Sequence, residues 1–141
     1  MITLDLSSAL QRAGQGEESE KLARSTIEPL QRVAELEPEN ALRQREHSVA
    51  YEHLANALVI QSRFAEAERA YLKSYEISKA ISSRSTASHF VNDLFSATFA
   101  LANVAVQQGH YADAAKWIQL HFEYAMQINS STMNQLQKNI M

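Results

Sequence analysis

The chain has 141 residues, with three glycines, two prolines and no cysteine. This length fits one folded unit, and the lack of cysteine excludes a disulfide framework, a zinc–thiolate site and a thiol nucleophile. The net charge of −3 argues against a nucleic-acid-binding protein. Because strand-rich folds need many turns, and turns consume glycine and proline, the composition predicts an all-α protein.

The chain carries no sign of membrane insertion or export. It contains no run of about 18 uninterrupted apolar residues, so we expect no transmembrane helix. The start at Met1–Asp5 lacks a basic region followed by an apolar core, which is the pattern of a signal peptide. We therefore expect a cytoplasmic protein that does not bind membranes.

Few breaks interrupt the helical spacing of the apolar residues. These breaks predict seven helices, near residues 3–13, 17–36, 40–61, 64–81, 85–108, 111–128 and 131–139. The first break is Gly14-Gln15-Gly16 and the last is Asn129-Ser130-Ser131. Pro29 is expected to kink or break the second helix, and Ser62 is a candidate N-cap for the fourth.

The strongest signal is an internal repeat with a shift of 47 residues. Residues 50–76 and 97–123 share nine identical positions among 27. The pairs include Leu54 with Leu101, Ala55 with Ala102, Asn56 with Asn103, Ala67 with Ala114, and Glu76 with Glu123. Ser62 and Gly109 align at the turn between the two helices. The sequence thus predicts duplication of a helical hairpin.

The repeat resembles the tetratricopeptide repeat family. The first copy has Tyr51 as its large residue, Leu54-Ala55 for Leu-Gly, and Ala67 followed by Tyr71 for the Ala-x3-Phe pattern. The second copy has Leu101-Ala102, Gly109, Tyr111 and Ala114 followed by Ile118, but Thr98 replaces the large residue. Both copies lack the closing proline. The spacing of 47 residues, against ~34 in the standard repeat, resembles a longer-helix variety found in bacterial multidomain proteins.

The resemblance implies one domain over residues 1–141, built as a right-handed stack of antiparallel helical hairpins. We expect hairpins near 3–38, 40–81 and 85–128, with a C-terminal capping helix at 131–139. It also implies a non-catalytic module that binds a protein or peptide in a concave groove lined by the first helix of each hairpin. The expected lining residues are Val49, Glu52, His53, Asn56, Ile60, Ser96, Phe99, Asn103 and Gln107. An asparagine side chain both donates and accepts, so Asn56 and Asn103 could hold a peptide backbone or could equally serve the fold.

No pattern of catalytic or metal-ligating residues is present. His89 and Asp93 share a helix face, but no third ligand follows at a suitable spacing, so we expect no metal and no cofactor. The acidic clusters near residues 17–20 and 35–39 are typical of solvated helix ends. The chain is therefore not expected to be an enzyme.

Two other functions stay open. Residues 84–141 carry only three acidic and three basic side chains, and the stretch from Leu94 to Ala112 carries none. Such a segment is typical of a central helix in a stack, or of a surface for homodimerisation or scaffolding. The other function is a regulatory domain of a larger signalling protein that senses a small ligand between His53, Asn56, Phe99 and Asn103.

Overall fold

The computed structural model describes residues 2–84 and 89–141. These residues form five helices: α1 (Ile2–Leu36), α2 (Ala41–Ile60), α3 (Phe64–Ser82), α4 (His89–Gln107) and α5 (Tyr111–Ile140). Over the described ranges there is no strand, and each helix packs chiefly on the helices next to it in the chain. The all-α, repeat-like architecture predicted from the sequence is confirmed. The start predicted for the fifth helix and its hairpin, at residue 85, lies outside the described residues.

The predicted break at Gly14-Gln15-Gly16 is wrong, because α1 runs through it as one helix of 35 residues. Gly16 is buried against the end of α2, where an added Cβ would lie 2.8 Å from Gln61 Cγ and 3.2 Å from the Ala57 carbonyl oxygen. The glycine thus permits a close helix crossing and does not make a turn. The expected hairpin at 3–38 is therefore a single helix. The helix also continues through Pro29, which is exposed.

The predicted separate capping helix at 131–139 is also wrong. Helix α5 continues through Asn129-Ser130-Ser131 to Ile140. Serine and asparagine lower helix propensity by less than ~1 kcal/mol each, so they do not end a helix without a glycine or proline. One turn on, the Thr132 hydroxyl donates to the Ile128 carbonyl at 3.0 Å, which keeps this side chain inside the helical pattern.

The two hairpin turns have the same backbone structure. Arg63 N–H donates to the Leu58 carbonyl at 2.9 Å, and His110 N–H donates to the Ala105 carbonyl at 2.8 Å, 47 residues further on. Ser62 has φ of 58° and Gly109 has φ of 76°. Both turns are Schellman motifs with a left-handed residue after the helix. Ser62 is thus not the N-cap of α3, a position held by Arg63.

The repeated alanines are the close-packing positions of the stack. Ala55 and Ala67 are fully buried between α2 and α3, and Ala102 and Ala114 are buried between α4 and α5. The larger core residues around them include Leu54, Leu58, Tyr71, Tyr75, Leu94 and Leu101. The hairpins join through Tyr75 of α3, which meets Trp117 edge-on at 5.2 Å and forms a 3.1 Å hydroxyl contact with Tyr124.

Candidate functional site

The predicted groove residues on α2 are available at the surface. Glu52, His53, Asn56 and Ile60 are exposed, and Val49 is half-buried. Their spacing of three or four residues places them along one side of the helix. The opposite side carries Leu54, Ala55 and Leu58 into the core.

The predicted groove residues on α4 are also at the surface. Ser96, Phe99, Asn103 and Gln107 are exposed, and their spacing again follows one side of a helix. Phe99 is the notable member, because 57% of a large apolar side chain is exposed there. Helix α4 has no charged residue after Asp93, so this surface is apolar and neutral.

Helices α2 and α4 are joined directly at their N-terminal halves. Arg45 of α2 donates through Nε to Asp93 Oδ2 at 2.8 Å and through a terminal nitrogen to Asp93 Oδ1 at 3.2 Å. Asp93 raises the pKa of Arg45, first through these hydrogen bonds and then through its charge. This two-point pair is a side-chain link between α2 and α4 near their N-terminal ends.

The two repeated asparagines have different environments. Asn56 Oδ1 accepts a hydrogen bond from the buried Tyr71 hydroxyl. Burial, and then the charge of Glu52, raise the pKa of Tyr71 to about 12. In the second copy the position of Tyr71 is held by Ile118, which cannot donate. Asn103 accordingly has no side-chain partner within the described part of the chain, and its amide faces solvent.

Phe99 borders a cluster of rings between α4 and α5. Its ring centroid lies 5.6 Å from that of His121, which stacks on Phe95 at 4.0 Å. His121 Nδ1 lies 2.9 Å from the Phe95 carbonyl oxygen, so this nitrogen carries the proton and donates. The ring cluster anchors the base of Phe99 and leaves its outer face exposed.

A separate cavity of about 530 Å³ lies between the end of α1, the start of α2 and the end of α3. Its walls combine apolar side chains with charges of both signs: Ala34, Ile77, Ile81, Glu35, Glu76, Lys73 and Arg84. His47 also lines it, and its buried Nε2 has no hydrogen-bond partner. Burial lowers the pKa of His47, while Glu35 acts in the opposite direction.

The described residues contain no group of three or more histidine, aspartate or glutamate side chains placed to hold a metal ion. Asp93, the predicted neighbour of His89, is engaged by Arg45. None of the helices, within residues 2–84 and 89–141, is long and apolar enough to cross a bilayer.

Sequence reasoning missed three features of the structure. The Arg45–Asp93 pair joins residues that are 48 positions apart, and no local sequence pattern indicates such a contact. The Asn56–Tyr71 bond joins two helices, and the repeat shows only that the second copy, with Ile118, cannot form it. The cavity beside His47 depends on how three helices diverge, which spacing along the chain does not encode.

Comparison with known families gives one match. Residues 48–89 match the family model described as a tetratricopeptide repeat. The match covers the second half of α2, all of α3 and the link to α4, which is the hairpin where the sequence pattern is strongest. No curated protein matches the chain.

Proposed function

Since residues 48–89 form a tetratricopeptide repeat, we propose that this chain is a non-catalytic module that binds a protein or peptide along the α2–α4 surface. The observation that carries the proposal is the pair Phe99 and Asn103 on α4. An exposed aromatic ring supplies apolar contact area, and an unpaired amide one turn away can donate and accept at once.

The surface suits an extended or helical peptide of low charge. Ile60 and Phe99 offer apolar contacts, while Ser96, Asn103 and Gln107 offer neutral hydrogen-bonding groups. Glu52 is the acidic group at this surface, and Arg45 is already paired with Asp93. Affinity is therefore expected to depend weakly on salt, because few charge pairs form on binding.

The test uses a displayed library of random peptides, selected on the intact chain. Phe99→Ala and Asn103→Ala are each expected to weaken the selected peptides by about tenfold, the effect of losing a contact residue near the centre of an interface. Asn134→Ala on α5 is the matched control, since it removes an exposed asparagine far along another helix. Equal binding by all three variants would contradict the proposal.

The cavity beside His47 supports a second candidate function, the binding of a small ligand. Its volume of about 530 Å³ lies within the usual range for small-molecule sites. The unpartnered His47 Nε2 and the mixed charges of Glu35 and Lys73 would suit a compact polar ligand with an apolar body. In this second proposal the ligand binds between α1, α2 and α3, away from the surface that carries Phe99 and Asn103.

A thermal-shift panel of metabolites tests this candidate. A ligand of the cavity should stabilise the wild-type chain and fail to stabilise Ala80→Trp, which fills the cavity from its exposed edge. Ala112→Trp on α5 is the control for a bulky substitution at an exposed alanine. A ligand that stabilises all three proteins equally binds elsewhere, and a silent panel would count against this function.

A further inference from the structure

Helix α5 carries a continuous stripe of exposed apolar side chains along one face. Its large members, here called the α5 stripe, are Tyr111, Ile118, Phe122, Met126, Met133, Leu136 and Ile140. With 3.6 residues per turn, these positions fall within about 60° of one line along the helix. Ala115 and Asn129 are the small or polar members of the same face. The stripe contains no charged residue.

The inner side of α5 is already occupied. Ala114, Trp117 and Tyr124 pack towards the core, and His121 stacks on Phe95 of α4. The stripe residues, by contrast, are between 43% and 84% exposed. Residues 129–141 are exposed throughout, so the last part of α5 is little covered by the rest of the described chain, with Val91 and Asn92 of α4 lining a cavity beside it. A helical segment this short is marginal in water unless its apolar side is packed.

We propose that the α5 stripe pairs with the α5 stripe of a second copy of this chain, with the two helices antiparallel. The helix spans residues 111–140, so pairing about its midpoint sets position 111 opposite 140 and position 118 opposite 133. The same operation sets Phe122 opposite Asn129 and Leu136 opposite Ala115. Two of these layers then set a large side chain against a smaller one, at Phe122 with Asn129 and at Leu136 with Ala115, while the other two pair Tyr111 with Ile140 and Ile118 with Met133.

A parallel arrangement packs less well. It sets each residue against its own copy, so Tyr111 meets Tyr111 and Phe122 meets Phe122, while Ala115 faces Ala115. Bulky layers would hold the helices apart and small layers would leave voids. The antiparallel arrangement also lays the little-covered end of each α5 on the better-covered half of its partner, and it sets the two helix dipoles in opposition.

Charge and area both agree with a second copy as the occupant. The acidic and basic residues of α5, Asp113, Lys116, Glu123 and Lys138, lie off the stripe, so self-pairing brings no like charges together. Roughly 100 Å² of each stripe side chain is open to water, since a large side chain has about 150–250 Å² in all. The seven together offer on the order of 700 Å², close to the ~800 Å² per partner of a standard interface.

Sedimentation equilibrium of the whole chain tests the proposal. At tens of micromolar the wild-type chain is expected to have twice the monomer mass of 15.8 kDa. Met126→Glu, which places a charge in the stripe, should weaken the dimer by at least about tenfold. Gln127→Glu is the matched control, because it adds the same charge at the next residue but on another face of α5. A wild-type monomer at every concentration would overturn the proposal, as would equal dissociation by the two variants.

Cysteine cross-linking tests the orientation, and the chain has no native cysteine to interfere. Position 126 lies beside the pairing midpoint, so Met126→Cys should form a disulfide-linked dimer under mild oxidation. Ile140→Cys should not, because antiparallel helices hold the two copies of residue 140 at opposite ends of an interface about 45 Å long. Faster cross-linking of Ile140→Cys than of Met126→Cys would overturn the antiparallel arrangement. Far-UV circular dichroism of each variant confirms that it is folded.

Discussion

Asn56 and Asn103 illustrate how one residue type can take two roles in a duplicated hairpin. Asn56 is tied to the Tyr71 hydroxyl, which sits on a side chain only 6% exposed. Asn56→Ala would leave that buried hydroxyl unpaired, so we expect it to lower the free energy of unfolding by about 1–2 kcal/mol. Asn103→Ala should change it by less than about 0.5 kcal/mol, because its amide faces solvent. Urea unfolding of both variants measures the difference.

The double variant Asn56→Ala with Tyr71→Phe provides the internal check. It removes the hydroxyl together with its acceptor, so part of the lost stability should return. If Asn56→Ala and Asn103→Ala proved equally mild, the hydrogen bond to Tyr71 would contribute nothing measurable. Asn56 and Asn103 would then be equivalent exposed residues, as their matching positions in the repeat suggest.

Gly14 and Gly16 lie two residues apart in α1 but should respond oppositely to alanine. At Gly14 an added Cβ meets nothing within 4 Å. Gly14→Ala should therefore raise the free energy of unfolding by about 0.5–1 kcal/mol through helix propensity alone. At Gly16 the methyl group would collide with Gln61, whose side chain is held by the Ala57 carbonyl and Glu20.

Gly16→Ala is accordingly expected to lower the free energy of unfolding by about 1–2 kcal/mol, the usual cost of overpacking. Thermal unfolding of the two variants under the same conditions separates the effects. A stabilising Gly16→Ala would show that α1 can move away from α2 at little cost, which would contradict the close crossing described here.

At the scale of the elements, the two hairpin turns carry different residues at the same left-handed position, and this difference predicts the effect of exchanging them. Ser62 occupies a left-handed conformation in the first turn, where the second copy has Gly109. A residue with a Cβ costs about 1 kcal/mol in this region. Ser62→Gly should therefore raise the free energy of unfolding by up to ~1 kcal/mol, and Gly109→Ser should lower it by a similar amount. Equal and opposite shifts in the urea midpoint are the expected readout.

The helices show which breaks a sequence can reveal. The predicted ends of α2 and α3, and the predicted link at 37–40, agree with the structure to within one or two residues. Pro38 and Asn40 mark the link, and the polar residues Ser62 and Ser83 follow the two helix ends. The two errors, at Gly14–Gly16 and Asn129–Ser131, share a cause. In both places the sequence contains residues that favour turns, and it therefore predicts a break. In the structure the helix continues, because Gly16 packs against α2 in the first case and the helical hydrogen bonding is uninterrupted in the second.

Only part of the candidate site can be predicted from the sequence. The nine expected groove residues are exposed on α2 and α4, except Val49, which is half-buried. Whether those residues bind a partner stays a prediction. The Arg45–Asp93 link and the cavity beside His47 arise from the relative placement of three or more helices, and periodicity within one helix carries no information about that placement.

At the scale of the whole molecule, the stack distributes its charges unevenly. Helix α1 and the first hairpin hold most ion pairs, such as Glu20 with Arg63 at 2.6 Å. Helices α4 and α5 rely on apolar and aromatic packing. Acid should therefore act first on the α1–α2–α3 part of the stack, where the groups with lowered pKa values lie.

His47 allows this acid sensitivity to be tested. Burial lowers its pKa from the ordinary 6.5, and Lys73 adds to this effect while Glu35 opposes it. Between the folded pKa and 6.5 the unfolded chain binds more protons than the folded chain, so stability rises with pH there. The contribution of His47 to the free energy of unfolding is fully present above pH 6.5, and it is lost progressively as the pH falls from 6.5 towards the folded pKa. A second loss follows below 4.5, where Glu20, whose pKa is lowered by Gln61, Arg24 and Arg63, begins to protonate in the unfolded chain.

His47→Leu should reduce the loss of stability below pH 6.5 and leave the loss below pH 4.5 unchanged, because leucine fills the same space and removes the titrating ring. Urea unfolding at a series of pH values between about 8 and 4 measures both. His53→Leu is the matched control, since His53 is exposed on α2 and should leave the profile as in the wild-type chain. If His47→Leu retained the full loss of stability just below pH 6.5, the acid sensitivity would reside in other groups and the buried Nε2 would have no part in it.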